Sequence, residues 1–325
     1  MPERFVYANG RISAGETTFL DRRIWQMLLS ARDGEEAIRF LGDTWYGSFM
    51  QHYSMEECFV RAMEAAEEEL LELSADRSIV RGILYRRDVR NARYLWKAKL
   101  FLGEEAAVAT ERPGLVPVDV LGGAPEDPAL REELPPAFRA ALEDVSALEE
   151  GNTVGFDRRM DRLAAEVEIE ELAPVDPEAG RYVKVRLEQK NFLAAGRCLV
   201  DDVPPDEVEK ILFPGGYHSP GEISAAYRRG GTGLSELLGE TTGFEAVTGV
   251  YDSALESGSF YELEREYDAM LLEMLEEGSF PVFGPLPLLS YVLRKELEVS
   301  HLKLLLAAKS AGVGRDILRA RLPRG

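Results

Sequence analysis

Residues 88–99 read DVRNARYLWKAK, and residues 298–309 read EVSHLKLLLAAK. In register, both stretches have an acid followed by valine, a hydrogen-bonding side chain three positions later, a base five positions later and a closing Ala-Lys pair. Residues 188–199, EQKNFLAAGRCL, are a weaker third copy, and LGDT at 41–44 is echoed by LGET at 238–241. Self-similarity at a period of about 100 residues predicts three related units packed around a shared axis.

Helical periodicity dominates the rest of the chain. Capping boxes at Ser54 and Ser219, each with glutamate three positions later, mark two helix starts. Residues 116–120 alternate in polarity, but Pro117 favours a loop there over a strand. The sequence therefore predicts an all-α protein. Apolar residues three and four positions apart predict helices at 18–30, 34–42, 55–73, 78–102, 136–148, 156–172, 177–200, 204–212, 234–239, 258–277, 286–311 and 314–321.

Composition excludes several classes of protein. The 325 residues include 58 acidic and 38 basic side chains, for a net charge of −20, so nucleic acid is not an expected partner. The two cysteines, Cys58 and Cys198, are far apart, which excludes a disulfide scaffold and a cysteine zinc site and fits a reducing cytoplasm. The first residues contain no signal peptide, and no apolar stretch approaches the ~20 residues of a spanning helix.

The polar positions of the repeats are the candidate site. The acid and the group three positions later lie on one face of each helix, where they can bond to a neighbouring element. Such groups either clasp helices together inside the protein or bind a partner. The candidate partner-binding residues are Asp88, Asn91, Arg93, Glu188, Asn191, Glu298, His301 and Lys303.

Two catalytic alternatives have weak support. Glu298 and His301 have the spacing of a di-iron helical bundle, but the second pair and the further carboxylates are missing, so no metal site is expected. The aspartates at 201, 202 and 206 resemble the magnesium-diphosphate motif of all-α isoprenoid synthases, although Pro204 and Pro205 interrupt the helix. No motif proposes a catalytic residue or a cofactor.

Several stretches together resemble the C subunit of prokaryotic A/V-type rotary ATPases, whose eukaryotic homologue is the d subunit of V-ATPases. YANGRI at 7–12 and LGDTWYG at 41–47 are similar to the opening part of that family. RRDVRN at 86–91, with Leu95 and KAK at 97–99, is similar to its first signature helix. Residues 295–309 and GVGRDIL at 312–318 are similar to its C-terminal helices. Residues 104–127 match little, and Leu193 replaces the base of the other two copies.

The resemblance implies a funnel of three helical units around a pseudo-threefold axis, with approximate boundaries at 1–110, 111–202 and 203–325. It implies a rotor adaptor without an active site, metal or cofactor. The adaptor would lie peripherally on the cytoplasmic side of the membrane and join the central rotor shaft to the proteolipid ring during ATP synthesis or hydrolysis coupled to proton or sodium transport. A generic helical adaptor and a magnesium-diphosphate enzyme remain the alternatives.

Overall fold

The computed structural model describes residues 2–74, 77–103, 112, 114–149, 151–279 and 284–322. Short 3-10 turns lie at Glu16–Thr18 and Ala173–Val175, and π-helical turns at Ala98–Leu102 and Glu168–Leu172. The α-helices are α1 (Pro2–Gly15), α2 (Arg22–Ser30), α3 (Gly34–Gly42), α4 (Gly47–Met50), α5 (Met55–Leu73), α6 (Arg77–Lys97), α7 (Val118–Gly123), α8 (Pro128–Glu133), α9 (Pro136–Ser146), α10 (Thr153–Val167), α11 (Pro177–Val200), α12 (Pro205–Ile211), α13 (Pro220–Tyr227), α14 (Gly231–Gly239), α15 (Glu245–Ser257), α16 (Tyr261–Ser279), α17 (Leu286–Ser310) and α18 (Arg315–Arg321).

The all-α prediction is confirmed, since the described residues form helices and contain no strand. Both predicted capping boxes are present: Ser54 and Glu57 bond reciprocally at the start of α5, and Ser219 and Glu222 do so at α13. Helices α1, α4, α7, α8 and α15 were not predicted from the sequence. Helix α16 was predicted to start at 258 but begins at Tyr261, because Gly258 is left-handed, with φ 67°, and follows the end of α15.

Residues 74–180 form one compact unit. Its core contains Trp96 of α6, Phe138 of α9 and Phe156 of α10, all almost completely buried. The Trp96 indole also donates a hydrogen bond of 2.8 Å to the carbonyl of Leu121 in α7. The predicted loop at 116–120 is partly wrong, because residues 118–120 belong to α7. The preceding residues 114–117 are irregular, and most of 104–113 lies outside the described residues.

Residues 1–73 and 181–325 form the other compact unit, so the two ends of the chain pack together. Helix α17 contacts α1, α3 and α5 as well as α16. Leu302 and Leu305 of α17 share a core with Leu28 and Leu41, and all four are fully buried. Lys309 adds polar contacts, because its ammonium donates to the carbonyls of Leu29 and Ala31 at the end of α2. The predicted division into three units around an axis stays a proposal.

None of the described helices is long and apolar enough to cross a membrane.

Candidate functional site

The first repeat anchors a turn through a buried carboxylate. Asp88 of α6 is fully buried. Its Oδ1 accepts the N–H of Gly114 at 3.1 Å, and its Oδ2 accepts those of Leu115 at 2.8 Å and Val116 at 3.1 Å. Val116 lies two residues before the start of α7. One helical turn beyond Asp88, the amide of Asn91 donates to the carbonyl of Arg112. The acid therefore fixes the backbone that leads into the next helix.

The second repeat builds the same arrangement. Glu188 of α11 is fully buried, and its Oε2 accepts the N–H groups of Tyr217 at 2.9 Å and His218 at 3.2 Å. His218 again lies two residues before a helix, α13. The other carboxylate oxygen of Glu188 bonds the His218 ring. Asn191 exchanges two hydrogen bonds of 2.8 Å with the backbone of Phe213.

The third repeat takes its turn from the opposite end of the sequence. Glu298 of α17 accepts the N–H of Leu20 at 2.7 Å, and Leu20 lies two residues before the start of α2. The other oxygen of Glu298 bonds the Tyr46 hydroxyl at 2.8 Å and the Lys295 ammonium at 2.7 Å. His301 holds the position of Asn91 and Asn191, but it bonds the side chain of Asp268 in α16, at 3.0 Å, instead of a backbone group.

We call residues 114–116, 216–218 and 18–20 the three anchored turns. From first to third, the backbone N–H donors to the acid fall from three to two to one. Over the same series the charged partner changes. Asp88 has no ion-pair partner among the described residues, Glu188 has an imidazole, and Glu298 has an ammonium. A buried carboxylate requires compensation by hydrogen bonds or by opposite charge, and the three repeats balance the two differently.

Lys295 occupies an aromatic cage. Its ammonium lies 4.0 Å from the ring centre of Phe19, 4.8 Å from that of Trp45 and 5.4 Å from that of Tyr46. It also donates to the carbonyl of Thr18 at 3.1 Å. Burial lowers the pKa of Lys295, while Glu298 opposes this shift. Cation–π contacts and one ion pair thus hold an ammonium that water does not reach.

Glycine begins two of the three anchored turns, because the carboxylate approaches the backbone closely there. A Cβ on Gly114 would overlap Asp88 Oδ1 and the carbonyl of Leu84, and one on Gly216 would overlap Glu188 Oε2. Thr18 holds the equivalent position in the third turn, where its carbonyl faces Lys295 instead.

Alanine at Gly114 or Gly216 is therefore expected to lower the free energy of unfolding by about 2–3 kcal/mol, since overpacking displaces the bonded acid. The matched control is Gly249→Ala, because Gly249 lies in α15 with open space around it. That variant should gain up to about 1 kcal/mol from helix propensity. Urea denaturation of the three variants measures both effects, and equal stability of all three would contradict the assignment.

The second turn should be sensitive to pH. The hydrogen bond that the His218 ring donates to the Glu188 carboxylate raises the pKa of His218 above its ordinary value of 6.5, although burial opposes this. A raised histidine pKa gives stability that is complete below the unfolded pKa and is lost as pH rises through the folded pKa. The urea midpoint of the wild type should therefore exceed that of His218→Gln by more at pH 6 than at pH 9. An equal difference at the two pH values would contradict the coupling of His218 to Glu188.

The structure buries most of the predicted site residues in these internal contacts. Asp88, Asn91, Glu188, Asn191, Glu298 and His301 are at most 8% exposed. Arg93 is partly exposed and pairs with Asp161, whereas Lys303 is exposed above the Phe59 ring. The buried contacts are those that the clasp interpretation predicts. Binding of these residues to a partner protein stays a prediction.

Several residues that complete the anchors were not predicted from the sequence. Lys295 lies three positions before Glu298, a spacing that signals an ion pair on a helix. Tyr46 lies inside the stretch 41–47 but has no pattern that connects it to α17. His218 follows a Gly-Gly-Tyr segment, and Asp268 is one acid among many on α16.

Neither catalytic alternative gains a site from the described residues. They contain no group of three or more histidine, cysteine, aspartate or glutamate side chains placed to hold a metal. Asp201, Asp202 and Asp206 are exposed around the connection between α11 and α12. Asp202 has a φ of 53°, and Asp206 pairs with Arg228. Asp201 and Asp202 therefore lie in the turn after α11 and Asp206 in the first turn of α12, not together on one helix face.

Comparison with known proteins covers nearly the whole chain. The C subunit of the A-type ATP synthase of Methanocaldococcus jannaschii is 23% identical over 342 aligned positions, which cover 98% of this chain and 86% of the relative. The model of the ATP synthase (C/AC39) subunit family matches residues 8–321, a range that includes all three anchored turns. From this match, the chain belongs to the ATP synthase (C/AC39) subunit family.

Proposed function

We propose that this protein is a non-catalytic rotor adaptor of an A/V-type ATP synthase or ATPase. It joins the central rotor shaft to the membrane proteolipid ring, and it transmits torque between ATP chemistry and proton or sodium translocation. It works on the cytoplasmic side as a peripheral component of the complex. The observation that carries this proposal is the family match from residue 8 to residue 321.

The anchored turns supply a property that such an adaptor needs. A part that transmits torque must resist bending at the connections between its helices. The buried carboxylates of Asp88, Glu188 and Glu298 accept three, two and one backbone N–H bonds from such a connection, and so tie it to a long helix. Fully satisfied buried polar networks rigidify the structure around them, and closely packed helices transmit strain.

The test is capture of the proposed partners from detergent-solubilised membranes that contain the assembled rotary complex. The tagged full-length chain is the bait, and mass spectrometry identifies the bound proteins. We expect recovery of shaft subunits and of a small, very hydrophobic ring protein. Recovery of neither partner, from membranes shown to contain both, would overturn the proposal.

Charge-reversal variants test the predicted contact residues in the same assay. Lys303→Glu should reduce capture if this exposed base binds a partner. Lys210→Glu is the matched control, because Lys210 is also exposed, on α12, and was not predicted to bind. Equal capture by both variants would remove Lys303 from the proposed interface and leave the adaptor role intact.

A further inference from the structure

A cavity of about 520 Å³ lies beside the third anchored turn, within the unit of residues 1–73 and 181–325. Helices α2, α16, α17 and α18 contribute its walls. This volume is in the range of pockets that hold small ligands or the side chains of a partner peptide. The apolar part of its lining includes Phe19, Trp25, Leu29, Leu272, Leu297 and Leu322.

Three arginines, Arg22, Arg294 and Arg319, line the same cavity. Arg22 and Arg319 are exposed, and neither guanidinium has a hydrogen bond or an ion pair with another described residue. Arg294 bonds Glu16 through Nη1, but its Nε is buried and lacks an acceptor among the described residues. The cavity therefore presents unused donors for an anion.

The acids at the cavity do not balance these cations. Glu298 is occupied by Lys295, Tyr46 and the N–H of Leu20. Glu276 is the other lining carboxylate, and it is exposed. The guanidiniums of Arg22 and Arg319 thus have no partner among the described residues, and Glu276 is the lining carboxylate that is left to balance them. The apolar lining residues lie beside these charges.

We propose that this cavity binds a carboxylate joined to a bulky apolar group, supplied by a segment of a partner protein of the complex. The guanidiniums of Arg22 and Arg319 hold the carboxylate through charge-assisted hydrogen bonds. The apolar group lies between Trp25, Leu272 and Leu297. The binding chemistry follows from the cavity alone, whereas the partner protein as its source rests on the proposed function.

The first experiment titrates the isolated full-length chain, labelled with ¹⁵N-arginine, with the peptide acetyl-Gly-Glu-Leu-Phe-Glu-Gly-amide. The readout is the Nε–H signal of Arg294, which lacks an acceptor among the described residues. We expect a saturable shift of this signal. The uncharged peptide acetyl-Gly-Gln-Leu-Phe-Gln-Gly-amide should bind at least ~5-fold more weakly, because it lacks the carboxylates that the guanidiniums attract.

Matched variants test the residues. Arg22→Gln and Arg319→Gln should each weaken binding of the acidic peptide several-fold, and both positions are exposed, so the fold should tolerate the change. Arg23→Gln is the control, because Arg23 is the exposed neighbour of Arg22 and does not line this cavity. Leu272→Trp keeps every charge and fills the cavity, so it should abolish binding.

Each contrary result has a definite meaning. Absence of a shift at 5 mM peptide, equal affinity for the two peptides, or equal loss in Arg23→Gln and Arg319→Gln would overturn the site. Octanoate, used as a lipid-like probe, should bind more weakly than the acidic peptide, and tighter binding of octanoate would overturn the partner segment as the source. These titrations need no other protein of the complex, so their failure is distinct from failure to capture the shaft or the ring.

Discussion

Replacing Glu298 by alanine is expected to lower the free energy of unfolding of the unit that contains α17 by about 3–5 kcal/mol, the range for removal of one partner of a buried ion pair. The variant leaves the Lys295 ammonium buried, with the Thr18 carbonyl and three aromatic rings as its remaining contacts. It also leaves the N–H of Leu20 and the hydroxyl of Tyr46 without an acceptor. Urea denaturation, combined with hydrogen exchange of α17 and α2, measures the loss.

A double variant shows whether the ion pair itself is responsible. In Lys295→Met/Glu298→Gln the ammonium is absent and methionine fills the aromatic cage. The glutamine carbonyl oxygen still accepts the N–H of Leu20, and its NH2 group donates to the Tyr46 hydroxyl oxygen. We expect it to recover more than half of the lost stability, because removal of both buried charges is far less costly than removal of one. The exposed Glu262→Ala on α16 is the control and should change stability by less than about 0.5 kcal/mol. If Glu298→Ala loses no more unfolding free energy than Glu262→Ala, then Glu298 does not anchor the third turn.

Replacing Asp88 by alanine has the second largest expected effect, a loss of about 3 kcal/mol or more in the unit of residues 74–180. Three backbone N–H groups lose their acceptor, and each unsatisfied buried donor costs about 1–3 kcal/mol. Hydrogen exchange should become faster in 114–123 before it does so in α9 and α10. Asp88→Asn, which retains one accepting oxygen, should fall between alanine and the wild type.

The cost of Asp88→Ala should also depend on pH. Burial raises the pKa of the Asp88 carboxyl to about 6, against the three N–H groups that favour its ionised form. Between about pH 4 and 6, the Asp88 carboxyl is protonated in the folded state and ionised in the unfolded state. Its contribution to stability therefore falls as pH rises through this range. The alanine variant should therefore lose more stability relative to the wild type at pH 4.5 than at pH 7.5. An equal loss at both values would contradict the raised pKa.

The same variant separates the two interpretations of the repeat residues. A folded Asp88→Ala protein that no longer captures the rotor shaft would place Asp88 in an interface. Loss of stability, with capture by the remaining folded protein unchanged, would assign it to internal support. Full burial and three internal bonds lead us to expect the second result.

Helical periodicity and the repeat determined what could be predicted. The spacing of apolar residues identified the long helices, and the repeat identified Asp88, Glu188 and Glu298 as equivalent. The backbone N–H partners of these acids could not be predicted, because they lie 26 to 278 residues away along the chain. Helix α15 escaped detection because Gly249 and the flanking glycines weaken its helical pattern, although Val247, Tyr251 and Ala254 form its buried face.

Cation–π contacts and unpaired hydrogen-bond donors depend on side chains that only the folded structure brings together, so they could not be predicted from the sequence. Lys295 is an ordinary base in the sequence, and only the packing of Phe19, Trp45 and Tyr46 around it makes it a buried cation. Likewise, Arg22 and Arg319 are two of many arginines until α2 and α18 bring them to one cavity.

Helix α17 also sets the order in which this chain can fold on the ribosome. Leu20 and the carbonyl of Ala31 leave the exit tunnel more than 250 residues before Glu298 and Lys309, their partners in the finished protein. Until then, the apolar faces of α2, α3 and α5 lack the helix that covers them. Contacts of such long sequence separation slow folding and expose apolar surface to aggregation. Nascent chains stalled before residue 286 should therefore be the species that molecular chaperones bind.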